Sequence, residues 1–90
     1  MANAWEFKTQ LNSDEMLAAL QASLADLVWS FRETEPEGRY ILGRAEHGEK
    51  VRVLWEATPL ELELYDFSDP LKTSAEIFKA LQAESIEPIE

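Results

Sequence analysis

Residues 5–11 place Trp5, Phe7, Thr9 and Leu11 on one side of an extended chain and Glu6, Lys8 and Gln10 on the other. That is the period of a half-buried strand. The period then changes. Met16, Leu17, Leu20 and Leu24 recur at intervals of three and four, with Ala18, Ala19 and Ala22 as strong helix formers between them. Asn12 can cap such a helix while Glu15 reaches back to it, and Leu11 can pack against Met16, so a helix is predicted over 13–25.

Alternation returns after Asp26, with Trp29 and Phe31 facing one way and Ser30, Arg32 and Thr34 the other, until Glu35, Pro36, Glu37 and Gly38 supply turn chemistry. Further strands are predicted over 39–45, 50–56 and 60–67, the first two joined by a two-residue loop at His47 and Gly48. That loop sets Tyr40 opposite Trp55, Leu42 opposite Val53 and Arg44 opposite Val51. Pairing across the preceding turn sets Phe31 opposite Leu42 and Trp29 opposite Arg44. The last two strands are expected to pair Val51 with Leu64, Val53 with Leu62 and Arg52 with Glu63.

Ser68, Asp69 and Pro70 form a helix-start signal, an aspartate cap followed by proline at the first helical position. Leu71, Ala75, Phe78 and Leu81 continue as a stripe with Ile77 beside it, and the helix is predicted to fade near Glu84. Residues 85–90, kept from helix by Pro88, read as a flexible acidic tail. The expected fold is α+β, a two-layer sandwich of a largely antiparallel five-stranded sheet with two helices on one face, in the order β-α-β-β-β-β-α. A single domain spanning 1–90 accommodates it. The first strand is expected either beside the second through a right-handed crossover or antiparallel to the fifth.

Composition narrows the function. Three Trp, four Phe and two Tyr within 46% hydrophobic residues are the content of a chain that folds by itself. A net charge of -10, from 18 acidic and 8 basic residues, opposes binding to nucleic-acid phosphates and to anionic membranes, so neither is an expected partner. The absence of cysteine removes disulfide, thiolate, zinc-finger and iron–sulfur chemistry, and no metal or other cofactor is expected. The first residues contain no basic stretch followed by an apolar run, so a cytoplasmic location is expected.

Candidate chemistry is sparse. His47 is the only histidine and falls in a predicted turn, where Glu46 or Glu49 would have to orient it for acid–base work. Glu61 and Glu63 share a strand face, the spacing of a carboxylate pair, although an ion pair between Glu63 and Arg52 explains that spacing equally. No calcium-loop spacing, phosphate-cradling glycine loop or nucleophile elbow occurs.

The sheet face turned away from the helices carries the most information. Alternation assigns to it Lys8, Arg32, Arg39, Lys50 and Arg52, together with Ile41, Leu54 and Tyr65, while the helices and tail hold much of the acid. An apolar centre of Ile41, Leu54 and Tyr65 within a charged rim has the make-up of an interaction surface. The expected function is therefore that of a non-catalytic protein-binding or regulatory module, with Ile41, Arg52, Leu54 and Tyr65 as partner-binding residues and another protein or a second copy of the chain as partner. The alternatives are an acidic inhibitor, immunity-like or chaperone-like protein that binds a basic partner, and a small enzyme using Glu61, Glu63 and His47.

Overall fold

In the computed structural model, which describes residues 3–34 and 38–89, the chain adopts an α+β fold. Its elements are β1 (Ala4–Lys8), α1 (Ser13–Ser23), β2 (Val28–Thr34), β3 (Gly38–Arg44), β4 (Lys50–Leu54), β5 (Leu60–Tyr65), α2 (Pro70–Ala80) and β6 (Glu84–Pro88). The six strands form one antiparallel sheet in the order β2-β3-β4-β5-β1-β6. Of the two placements open to β1, the chain takes the antiparallel one beside β5.

Both helices cover one side of this sheet. Met16 and Leu20 of α1 and Ile77 and Phe78 of α2 are buried against Trp5, Phe7, Trp29, Val51, Val53, Leu62 and Leu64. Phe78 packs at 5.4 Å from Phe7 and edge-on at 6.1 Å from Trp5, so α2 sits over β1. The Asn12 capping box forms as expected: the Asn12 side chain accepts from the Glu15 amide at 2.8 Å and Glu15 accepts from the Asn12 amide at 2.9 Å. Asp69 caps α2 in front of Pro70. The buried stripe of α2 is rotated from the expected one. Ser74, Ile77, Phe78 and Leu81 point inward, whereas Ala75 is exposed and Leu71 is 56% exposed.

The sheet has six strands because the expected tail is paired. After α2 the chain passes through Gln82 at φ 53, and the Ala83 amide reaches back to the Phe78 carbonyl at 2.9 Å, a left-handed closure of the helix that reverses the chain. The Thr9 hydroxyl donates to the Leu81 carbonyl at 2.6 Å and ties this reversal to the end of β1. Residues 84–88 then run antiparallel to β1, with a register shift between Glu6 and Lys8 that coincides with Ser85 at φ 53. No helix among the described residues is long and apolar enough to cross a membrane.

The main correction concerns β3. The β3–β4 loop has three residues, 46–48, closed by the Ala45 amide on the Glu49 carbonyl at 2.9 Å, with Gly48 at φ 96. Ile41 therefore faces Val53 and Gly43 faces Val51, one residue away from the expected register. The pairing with β2 slips by one as well, so that Phe31 faces Ile41 and Trp29 faces Gly43. The turn expected at Glu35, Pro36 and Glu37 lies outside the described residues. The β4–β5 register is as expected, with Val51 opposite Leu64 and Val53 opposite Leu62. The two slips compensate, leaving β2 and β4 on their expected faces and inverting β3 alone.

Gly43 gives the physical reason. A Cβ built on it would lie 2.6 Å from the Trp29 ring, so the indole occupies the space that any other residue would fill. The Trp29 ring nitrogen donates to the Leu24 carbonyl at 2.9 Å, anchoring the ring between the sheet and the end of α1. Gly43→Ala is expected to destabilise the fold by about 2 kcal/mol through overpacking, measured by urea unfolding. A Trp29→Leu background should remove most of that increment in a double-mutant cycle. A neutral Gly43→Ala would contradict this packing.

Candidate functional site

The second face of the sheet has no helix against it. Residues directly opposite each other share a side, so the observed registers define that face row by row. One row runs Ala4, Glu63, Arg52, Leu42 and Ser30, and another runs Tyr65, Lys50, Arg44 and Val28. Glu6, Glu61 and Leu54 lie on the same side, as does Tyr40 opposite Arg32.

At the centre is a compact charged and aromatic cluster. Arg52 Nη1 lies 3.2 Å from Glu63 Oε1, and the Arg52 guanidinium carbon lies 4.5 Å from the Tyr40 ring centroid. The Tyr65 hydroxyl donates to the same Glu63 oxygen at 2.8 Å, and Lys50 Nζ stands 5.1 Å from the Tyr65 ring centroid. Burial by itself lowers the Arg52 pKa, but the Glu63 charge and the Tyr65 hydroxyl outweigh it and hold the pKa above its ordinary value. The Nε of Arg52 is buried without a hydrogen-bond partner. Leu42 is only 8% exposed although no other layer covers it. The long side chains around it close over the centre of the face.

Of the residues the sequence pointed to, Arg52, Leu54 and Tyr65 come together on this face. Ile41 does not: it is 0% exposed, in the core under the helices. Arg39 also leaves the face. It pairs with Glu56, and its guanidinium carbon lies 5.2 Å from the Trp55 ring centroid on the helix side. In their place β3 contributes Tyr40, Leu42 and Arg44, which alternation with the wrong loop length had turned inward. Tyr40, Ile41 and Leu42 are three successive apolar residues, and such a run does not identify its own buried face.

On the helix side, at the first turn of α1, Ser13, Asp14, Phe31, Arg39 and Trp55 line a hollow of ≈ 290 Å³. Phe31 meets Trp55 edge-on there at 6.3 Å, and the Trp55 ring nitrogen is buried without a partner. His47 is exposed in the β3–β4 loop and lines another, of ≈ 550 Å³, with Arg44, Glu46 and Glu49. Among the described residues no three His, Asp or Glu side chains converge as metal ligands would. The chain matches no protein-family model and shows no significant similarity to curated proteins.

The Tyr65 hydroxyl has a raised pKa, first through burial, then through the bond it donates to Glu63 and that carboxylate's charge, with Arg52 pulling the other way. A pKa raised on folding contributes stability that is complete below the unfolded value, about 10, and is lost as pH rises through the folded value. In a Tyr40→Phe background, phenolate absorbance should titrate above pH 10, and Glu63→Gln should move the midpoint down. A Tyr65 midpoint at or below the ordinary value would mean that Arg52, not Glu63, governs this hydroxyl.

Proposed function

We propose that the chain is a non-catalytic protein-binding module that works through the uncovered sheet face. The observation that supports this reading is the grouping of Tyr40, Leu54 and Tyr65 around the Arg52–Glu63 pair, framed by further charged side chains on a surface that neither helix protects. Rigid aromatic groups beside an arginine, at the middle of a polar rim, are the composition that carries binding energy in protein interfaces. The enzymatic alternative has less behind it. Glu63 is committed to Arg52 and Tyr65, and Glu61 stands on an open face rather than in a cleft that would tune a carboxylate for acid–base work.

The alternative of an acidic protein that holds a basic partner draws on one feature, the carboxylates Glu87, Glu6 and Glu61 aligned across β6, β1 and β5. Binding of that kind weakens steeply with salt, whereas docking on Tyr40, Leu54 and Tyr65 does not.

Leu54→Ser combined with Tyr65→Ser tests the principal reading. Proteins that crosslink to the wild type, a second copy included, should be lost by at least about tenfold in this variant. They should be retained by Leu71→Ser, which alters an exposed leucine on the opposite side of the molecule. With circular dichroism showing both variants folded, equal retention by all three proteins would remove the sheet face as the binding surface.

A further inference from the structure

The uncovered face is divided by charge along its midline. The half formed by β2, β3 and β4 carries Arg32, Arg44, Lys50 and Arg52 and no acidic side chain among the described residues. The half formed by β5, β1 and β6 carries Glu61, Glu63, Glu6, Glu84 and Glu87 against a single cation, Lys8. Each half is three strands wide, and the Arg52–Glu63 pair crosses the boundary. Within the acidic half, Glu6 stands opposite Glu61 on one side and opposite Glu87 on the other. Like charges directly opposite each other destabilise a sheet, so this row carries a repulsion that cations from outside the chain would relieve.

We propose that the partner on this face is a second copy of the chain, stacked face to face about a two-fold axis that lies between the sheets, parallel to the strands and over the β4–β5 boundary. The proposal rests on the face being a binding surface and adds the identity of the occupant. Rotation about this axis turns one face onto the other and exchanges left for right, so the basic half of each copy covers the acidic half of its mate. A two-fold axis lying across the strands would instead set basic half on basic half, and charge selects against it. The contact is isologous and closes as a dimer. Each row of the sheet maps onto itself about this axis, so Arg52 of each copy lies across from Glu63 of its mate and Arg32 across from Glu87, while Leu54 of β4 and Tyr65 of β5 flank the axis at opposite ends of the strand pair. The 30 × 26 × 26 Å extents of the molecule offer a face on the order of the 800 Å² that each partner contributes to a standard interface.

Charge reversal separates this arrangement from any other. One variant, Arg32→Glu with Arg44→Glu, reverses the outer cations of the basic half and makes the face predominantly acidic. A second, Glu6→Lys with Glu87→Lys, makes it basic. Sedimentation velocity of the wild type should show a dimer, each variant alone should self-associate at least about tenfold more weakly, and an equimolar mixture should recover a heterodimer, a result that only folded variants can give. Should the second variant not fold, Glu87→Lys alone, at an exposed position on the edge strand, replaces it. A wild type that stays monomeric up to about 1 mM, variants that dimerise as the wild type does, or variants that fail to combine would each overturn the proposal. A monomeric wild type whose crosslinked partners are still lost in the Leu54→Ser, Tyr65→Ser variant would overturn the second copy alone and leave the face as a surface for another protein. A dimer indifferent to both sets of substitutions would overturn the face as well.

Discussion

The contact between Trp29 and Gly43 sets the arrangement of both sheet faces. An indole packed this closely on a strand excludes a Cβ at the contact, and Gly43 of β3 is the residue that accepts it. Once Gly43 is under Trp29, alternation puts Ile41 into the core and turns Tyr40, Leu42 and Arg44 outward. The same indole donates to the Leu24 carbonyl at the end of α1, so one side chain fixes the position of a helix end and the register of a strand. The three-residue loop with Gly48 at φ 96 is the connection compatible with that register.

The helix-covered face is dry and apolar, and it tolerates little variation in volume because its residues interdigitate. The opposite face is governed by charge. Its two halves owe their opposite signs to different causes: β3, once inverted, brings Arg44 outward, and β6, once paired, brings Glu84 and Glu87 onto the sheet. Arg52 and Glu63 join the halves, with Tyr40 and Tyr65 enclosing the pair on either side. A net charge of -10 therefore describes this molecule poorly, because the face proposed for binding is close to balanced while the acid elsewhere keeps the remaining surface solvated.

Much of this was legible in the chain. Strong local signals gave the right elements: the Asn12 and Glu15 capping box, the Asp69 and Pro70 start of α2, and the alternation of Leu60, Leu62 and Leu64. Arg52 opposite Glu63 followed from that alternation and is present as an ion pair. The failures fall where local chemistry is ambiguous. Tyr40, Ile41 and Leu42 read as apolar on both faces, the acidic and isoleucine-bearing residues 84–90 resemble a frayed end, and Leu71 and Ala75 make a helical stripe as regular as the one that is buried.

What the amino-acid sequence determines by itself is the two helices and the first five strands, the α+β class and the charge, because these depend on side-chain periodicity, capping and composition within a few residues. Only the tertiary structure decides which face β3 presents, that residues 84–88 complete the sheet, and that cations and carboxylates separate into two halves of one surface. Each of these depends on residues distant in the chain competing for one space: the Trp29 ring above Gly43, and the open edge of β1 that takes the returning chain after α2.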